Sequence, residues 1–360
     1  MRTGLDVLRD QHFAPLRGRR VGLVCHPASV DSRLRHAVDL FRDGGVTVAA
    51  LFGPEHGFRG QAQDLIGVAD ECECHSLYGD SVESLRPTAE QLRGLDTLVI
   101  DLQDVGSRYY TFQATMLYCL ESAAANGVAV VVLDRPNPIG GAVEGPGVRP
   151  GFESFVGPHD IPIRHGKTMG ELAELYRTER NIGVELRVIR CEGGGTEPPW
   201  VMPSPNMPTP DTALVYPGMC LLEGTNLSEG RGTTRPFELC GAPWLDTSEV
   251  ARRLNAVGLP GVFFRAAWFR PTFQKFAGQD CGGVQLHVTD REAFRPVRTG
   301  LAVLATMREM SGTRFAWRTE TYEFVSDRPA IDLLFGSDRE RLALDAGVPW
   351  REIAAEWGNN

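Results

Sequence analysis

Short apolar runs alternate with stretches of helical hydrophobic spacing through the first half of the chain. Four runs have the length and the Val, Leu and Ile content of buried strands, at residues 21–25, 46–52, 96–100 and 128–133. Between the first two, Leu34, Val38 and Phe41 recur at helical spacing before Gly44 and Gly45. This alternation predicts βαβ units and therefore a parallel sheet.

Further helices are predicted from their boundary residues. The third strand should lead into a long helix, from about residue 107 to a C-terminal cap at Asn126 and Gly127. Thr168 and Glu171 form the capping-box pattern that begins another helix. Both helices would pack on the predicted sheet.

The second half of the chain has a different composition. Residues 193–210 contain too much Gly and Pro for regular structure and should cross between two lobes. A strand at 283–288 and an amphipathic helix at 299–310 follow. We therefore predict an α/β protein, with a Rossmann-like parallel-sheet domain at residues 1–220 and a smaller α/β domain at 221–360.

Composition and charge exclude several classes of protein. Hydrophobic residues make up 42% and charged residues 23% of the 360, so a substantial core can form. The net charge of -9 comes with no basic block, which argues against a nucleic-acid partner. No apolar run approaches the roughly 18 residues of a membrane span, and the first twenty residues lack the apolar segment of an export signal. We expect a cytoplasmic protein.

The eight cysteines suggest neither a disulfide framework nor a metal site. Several lie inside apolar runs, where a free thiol behaves as a small hydrophobic side chain. Cys72, Cys74 and His75 form the one local cluster, and it lacks the second ligand pair of a zinc site. We expect no metal and no cofactor.

Polar clusters follow all four predicted strands, where a parallel sheet binds its ligands. They are Cys25-His26-Pro27, Gly53-Pro54-Glu55-His56-Gly57, Asp101-Leu102-Gln103-Asp104-Val105-Gly106 and Asp134-Arg135-Pro136-Asn137-Pro138. Turn chemistry explains the prolines and glycines but not Glu55, because glutamate has no turn preference. We predict a catalytic or binding role for Glu55.

The other polar residues of these clusters are open to more than one interpretation. His56 would orient Glu55, bind substrate or only fill the loop, and His26 is a weaker candidate. The like charges of Asp101 and Asp104 would separate their pKa values, although Asp104 is equally well placed to cap the next helix. Arg108, in the predicted first turn of that helix, would then need a carboxylate or a ligand.

The second half offers one dense polar stretch, residues 223–234. Its Glu, Asn and Arg side chains suit hydroxyl or carboxylate groups of a ligand, and the alternative is a flexible solvated loop. Asn206 is a further candidate. Other familiar sites are missing from the sequence: the turn after the first strand lacks G-x-G-x-x-G, Gly193-Gly194-Gly195 is no phosphate loop, and there is no G-x-S-x-G elbow.

Several long motifs, in order, resemble a bacterial family, the NamZ-type exo-β-N-acetylmuramidases. The motifs are Gly53 to Gly57, Asp101 to Thr111, Asp134 to Pro138, Glu223 to Asn226, Gly241 to Trp244 and Gly282 to Val288. The resemblance runs from about Gly22 to the end. It implies release of N-acetylmuramic acid from the non-reducing ends of peptidoglycan fragments, in a cleft between a Rossmann-like domain and a smaller C-terminal domain.

The resemblance also implies roles for individual residues. Glu55 matches the family's candidate catalytic glutamate. The residues implied to line the sugar pocket are Gln103, Arg108, Tyr109, Asn137, Asn206, Glu223, Asn226 and Arg231, and we add His26, His56, Asp134 and Glu229 as substrate-binding candidates. Family members often carry an export signal, which this sequence does not show.

Glycoside hydrolysis needs an acid to protonate the departing oxygen and commonly a second carboxylate. Candidates for the second carboxylate are Asp101, Asp104, Glu223 and Glu229, and the substrate's own acetamido group is an alternative nucleophile. Two rival hypotheses remain: a muropeptide or sugar sensor that binds without cleaving, and a metal-assisted hydrolase using His26, His56 and Asp101.

Overall fold

A computed structural model of the chain describes residues 1–55, 57, 73–193 and 199–357. The chain divides into two compact units, and neither is continuous in sequence. Unit 1 comprises Met1–Val105, Tyr110–Gly140 and Lys167–Pro205, and unit 2 comprises Gly106–Tyr109, Gly141–Gly166 and Asn206–Asn360. Because these units are discontinuous, they cannot be compared directly with the two domains predicted at 1–220 and 221–360, which stay a prediction.

Unit 1 is built on a six-stranded parallel sheet. Its strands are β1 (Arg20–Cys25), β2 (Thr47–Gly53), β3 (Glu73–Ser76), β4 (Thr97–Asp101), β5 (Ala129–Leu133) and β6 (Leu186–Ile189), in the order β3-β2-β1-β4-β5-β6. This is the doubly wound order, which reverses direction between β1 and β4. The predicted Rossmann-like α/β fold is confirmed.

Four helices accompany this sheet: α1 (Gly4–Asp10), α2 (Ala37–Asp43), α3 (Phe112–Ala125) and α4 (Met169–Glu179). The Thr168 capping box predicted for α4 is present, with Glu171 as its reciprocal partner. Leu34 was assigned to the helix that became α2, but it has a φ of 62° and lies outside it. Strand β4 is buried along its whole length, as its apolar sequence predicted.

Helix α3 begins five residues later than predicted. Its N-cap is Thr111, so Asp104 does not cap it and Arg108 is not in its first turn. The chain between β4 and α3 contains Gly106, with a φ of 82°, and residues 106–109 belong to unit 2. Both helix-based interpretations of Asp104 and Arg108 were therefore wrong.

Unit 2 combines an antiparallel sheet with helices. Strands β7 (Leu239–Ala242), β8 (Val262–Phe269) and β9 (Cys281–Val288) form the order β7-β9-β8. The helices are α5 (Pro210–Met219), α6 (Thr247–Val257), α7 (Pro296–Ser311), α8 (Ala330–Phe335), α9 (Arg339–Asp345) and α10 (Trp350–Ala355). Strand 283–288 and helix 299–310 are recovered within β9 and α7.

Helices α5 and α7 approach each other through glycines. A Cβ added at Gly218 would lie 1.9 Å from the Pro296 carbonyl oxygen, and one at Gly300 would lie 2.1 Å from the Gly218 carbonyl oxygen. This close approach fixes the end of α5, which continues directly into a 3₁₀ helix, Cys220–Gly224. Glu223 is thereby held inside unit 2 and not on a flexible loop.

Candidate active site

The carboxyl edge of the unit 1 sheet carries the polar clusters that the sequence placed there. The loops after β1 and β4 diverge at the point where the strand order reverses, which is where open α/β sheets bind ligands. Glu55 follows β2, beside β1, and Asp104 follows β4. His56 lies outside the described residues.

Glu55 is partly buried, and a threonine hydroxyl holds its carboxylate. Thr111 Oγ1 donates a hydrogen bond of 2.7 Å to Glu55 Oε2. Threonine at an N-cap commonly bonds to the backbone of the first helical turn, but the Thr111 side chain makes no such bond to α3. The sequence analysis missed this role of Thr111, although Thr111 is the last residue of the Asp101-to-Thr111 motif.

His26 organises the loops of this edge and does not face solvent. Its Nε2 accepts a 2.9 Å hydrogen bond from the Gln103 backbone N–H, and its Nδ1 lies 3.3 Å from the Pro203 carbonyl oxygen. These contacts require the neutral ring with its proton on Nδ1. Burial and the nearby Arg135 charge lower the pKa of His26 to about 3, which keeps the ring neutral. His26 positions Gln103.

Asp101 forms a buried ion pair with Arg135. Asp101 Oδ1 accepts from Arg135 Nε at 2.6 Å, and Oδ2 accepts from Nη2 at 2.9 Å. The same Nη2 donates to the Val30 carbonyl oxygen at 3.0 Å. Arg135 thus joins Asp101, at the end of β4, to the loop after β1. This ion pair gives Asp101 a structural role, and its predicted catalytic role stays a prediction.

Asp134 and Asn137 also bond to backbone groups. Asp134 Oδ1 accepts from the Gly170 N–H at 2.8 Å, at the first turn of α4, and burial raises the pKa of Asp134. Asn137 Nδ2 donates to the Lys167 carbonyl oxygen at 3.1 Å, and its Oδ1 accepts from the Ile139 N–H. Both predicted sugar ligands therefore hold the loop after β5 against the start of α4.

In unit 2, Arg108 is fully buried and bonds to backbone. Its guanidinium donates to the carbonyl oxygens of Pro146 at 2.7 Å, Ile161 at 2.9 Å and Leu334 at 2.7 Å. Tyr109 is buried beside it, and its hydroxyl donates to the Pro217 carbonyl oxygen. Burial raises the pKa of Tyr109 well above the ordinary value. Both side chains thus bond to backbone carbonyl groups within unit 2, and their predicted place in the sugar pocket stays a prediction.

The acidic residues of the polar stretch form a charge-balanced cluster. Glu223 pairs with Arg231 through Oε1 and accepts from the Tyr322 hydroxyl at 3.0 Å through Oε2. Glu229 lies 2.9 Å from Lys275 Nζ. Burial opposes ionisation of Glu229, but Lys275 and Arg231 outweigh it and hold its pKa below the ordinary value. Two acids and two bases neutralise one another here.

Asn226 and Asn206 complete the predicted set. Asn226 Nδ2 donates to the Arg314 carbonyl oxygen at 2.8 Å, and Oδ1 accepts from the Ala316 N–H at 3.0 Å. Asn206 is partly buried at the start of the last segment of unit 2. Of the residues predicted by sequence, unit 1 thus brings together Glu55, His26, Gln103 and Asp101 at one sheet edge.

The described residues show neither a cluster of metal-ligating side chains nor a helix that could span a membrane. Across residues 1–55, 57, 73–193 and 199–357, no three His, Cys, Asp or Glu side chains cluster as a metal would require. His26 and Asp101, two ligands of the metal hypothesis, are engaged with Gln103, Pro203 and Arg135. None of the helices in this part of the chain has both the length and the apolar character of a membrane span.

Fold and site define the class of protein: a Rossmann-like α/β enzyme with a carboxylate at the ligand-binding sheet edge. The chain belongs to the NamZ family of exo-β-N-acetylmuramidases, whose N-terminal family model matches residues 21–211 and whose C-terminal model matches residues 214–360. It is 45% identical, over 98% of its length and 86% of the relative's, to the peptidoglycan β-N-acetylmuramidase NamZ of Bacillus subtilis. The chain is a glycosidase.

Two solved structures share the fold. Both are DUF1343 family proteins from Bacteroides fragilis. The first is 32% identical with a TM-score of 0.88, and the second is 28% identical with a TM-score of 0.78. Each match covers 99% of this chain and 94% of the other. The family resemblance carried by the sequence motifs is confirmed.

Proposed function

We propose that this chain releases N-acetylmuramic acid from the non-reducing ends of peptidoglycan fragments, with Glu55 as the acid/base catalyst. The observation that carries the catalytic assignment is the Glu55 carboxylate, held by Thr111 at the edge of the sheet. The substrate class is supported by the 45% identical Bacillus subtilis relative, named as a peptidoglycan β-N-acetylmuramidase.

The chemistry assigns Glu55 to the departing oxygen. In its protonated form the carboxyl group donates its proton to the glycosidic oxygen as the bond to the anomeric carbon breaks. Thr111 fixes Oε2, so the carboxyl group is oriented before substrate arrives, and less rotational freedom is lost in the transition state.

We assign the second carboxylate role to Asp104. Its loop begins at the end of β4, and Glu55 follows β2, so both residues follow strands at the carboxyl edge of the unit 1 sheet. Asp104 also lies within the Asp101-to-Thr111 motif that resembles the family's sequence. Asp104 acts either as nucleophile or as base for water.

The test is the product, because a sensor and an enzyme would both bind the sugar. The wild-type chain is incubated with the disaccharide N-acetylmuramyl-β-1,4-N-acetylglucosamine, and free sugars are followed by mass spectrometry. We expect equal amounts of N-acetylmuramic acid and N-acetylglucosamine. A fragment whose non-reducing end is N-acetylglucosamine should remain intact. Heat of binding in calorimetry without any release of monosaccharide would instead establish a sensor.

A further inference from the structure

An open pocket lies at the carboxyl edge of the unit 1 sheet, where the strand order reverses. Val30, Pro136, Pro138 and Trp200 provide most of its apolar wall. Gln103 and Arg135 supply its polar side chains. We call it the switch-point pocket. Its enclosed space is small and suits one substituent of a ligand and not a whole sugar ring.

The polar side of the pocket has a defined hydrogen-bonding direction. Gln103 Nε2 donates to the carbonyl oxygens of Asp104 at 2.8 Å and Pro136 at 3.2 Å. This fixes the amide orientation and makes Oε1 the acceptor of the side chain. The Gln103 backbone is pinned by His26, so the amide is held at both ends. The pocket therefore suits a ligand group that offers an N–H.

The charge of the pocket favours a neutral group. Arg135 is a cation, but its guanidinium is already bonded to both oxygens of Asp101. The pair is neutral overall, so a ligand carboxylate would gain little there. Proline and tryptophan walls favour a small apolar end on the ligand. A neutral group with an N–H and a methyl is an acetamido group.

The pocket and Glu55 lie at the same edge of the unit 1 sheet. Glu55 follows β2, which lies next to β1, and the pocket is formed by loops after β1, β4 and β5. Neighbouring strands are about 4.8 Å apart, so Glu55 and the pocket begin about one to two strand spacings from each other. Glu55 and the pocket therefore lie at the same edge of the sheet, after strands that are close together.

We infer that the switch-point pocket binds the 2-acetamido group of the sugar whose glycosidic bond is cleaved. The Gln103 Oε1 accepts the acetamido N–H, and the methyl group packs against Trp200 and the prolines. This inference rests on the proposed function for its substrate. It adds Gln103 and Trp200 as residues that determine specificity for the N-acyl group.

The test varies the acyl group and leaves the rest of the substrate unchanged. Three chromogenic β-muraminides are compared, carrying N-acetyl, N-propionyl or a free amine. For the wild type we expect kcat/KM to fall about tenfold or more from acetyl to propionyl, because one extra methylene must fit against Trp200 and the prolines. Loss of the acyl group should cost at least as much, since Gln103 and the apolar wall lose their partner.

A smaller side chain in the pocket wall should reduce the preference for N-acetyl over N-propionyl substrates. Trp200→Leu should reduce the acetyl-to-propionyl ratio at least about threefold, and Val30→Ala should act in the same direction if Trp200→Leu folds poorly. The matched control is Trp268→Leu, since Trp268 is 66% exposed on β8 of unit 2. It should leave the ratio unchanged. Thermal unfolding of each variant checks the fold.

Three results separate the two proposals. Equal wild-type rates on acetyl and propionyl substrates would overturn the pocket assignment and leave the proposed function intact. A Trp200→Leu variant that changes only the preference for muramic acid over glucosamine derivatives would also overturn it, because the pocket would then hold the lactyl group. If no substrate is cleaved, the proposed function fails. Calorimetry with free N-acetyl and N-propionyl muramic acid then tests the pocket, and equal affinities would overturn it.

Discussion

Acidic pH should lower the free energy of unfolding of unit 1, because His26 is buried there in its neutral form. The difference between the folded and unfolded pKa of His26 sets the size of this loss. The ring is buried and neutral, with a folded-state pKa of about 3 against an ordinary value of 6.5. Between these two pKa values, His26 is therefore protonated in the unfolded chain and neutral in the folded chain. Stability from this site is complete above the unfolded pKa and is lost as pH falls towards the folded pKa.

The magnitude follows from linkage. Between about pH 7.5 and about pH 5, the difference between the two pKa values removes about 2 kcal/mol from the free energy of unfolding. The physical cause is that a protonated ring would be a buried cation near Arg135, and its Nε2 would no longer accept from the Gln103 N–H. The loss should continue at lower pH.

The assay compares wild type with His26→Gln, which cannot titrate. Urea denaturation is followed at both pH values by hydrogen exchange in β1 and β4, which reports on unit 1. Wild type should lose about 2 kcal/mol more than the variant. His287→Gln is the matched control, because His287 is exposed, and it should behave as wild type. A difference below about 0.5 kcal/mol between wild type and His26→Gln would refute the reasoning.

Three further predictions follow from single contacts. Thr111→Val should lower kcat about tenfold with little change in KM or melting temperature, because the lost hydroxyl orients Glu55 and caps no helix. Thr111→Ser keeps the hydroxyl and should have the kcat of wild type. A wild-type kcat in the valine variant would disprove the role of Thr111. Arg108→Met should lower the free energy of unfolding by about 3 kcal/mol or more in urea titrations, since three carbonyl oxygens lose their donor. A change under about 1 kcal/mol would contradict this prediction. Asn255 bonds to both the N–H and the C=O of Phe264 on edge strand β8. Asn255→Ala should leave these backbone groups unpaired and promote self-association, measured by sedimentation. A variant that sediments as wild type does would argue against this role of Asn255.

The sheet was predictable because its signal is local. The runs that became β1, β2, β4 and β5 are apolar, of strand length and bounded by turn residues, and burial between helices requires that composition. The capping box at Thr168 is equally local, since both partners lie within four residues. These features needed no knowledge of distant contacts. Glu55 was found in the same way, because it stands out from its turn neighbours.

The roles of the other site residues depend on distant partners, which a local pattern does not show. Arg108 bonds to carbonyl groups 38, 53 and 226 residues away. Asp101 meets Arg135 34 residues later, and Thr111 reaches Glu55 across 56 residues. The same is true of Glu223, which reaches Tyr322 across 99 residues. Which polar residues of a conspicuous motif bond to distant backbone or side-chain groups is therefore visible only in the fold.

The central claim is that the carboxyl group of Glu55 performs acid/base catalysis on a β-N-acetylmuraminide. The most direct measurement is kcat/KM for the N-acetylmuramyl-N-acetylglucosamine disaccharide with wild type, Glu55→Gln and the exposed control Glu90→Gln. We predict that Glu55→Gln folds normally and loses about 10²- to 10⁴-fold in kcat/KM, the usual contribution of an acid/base group, while Glu90→Gln matches wild type. A folded Glu55→Gln enzyme with a rate close to that of wild type would contradict the account.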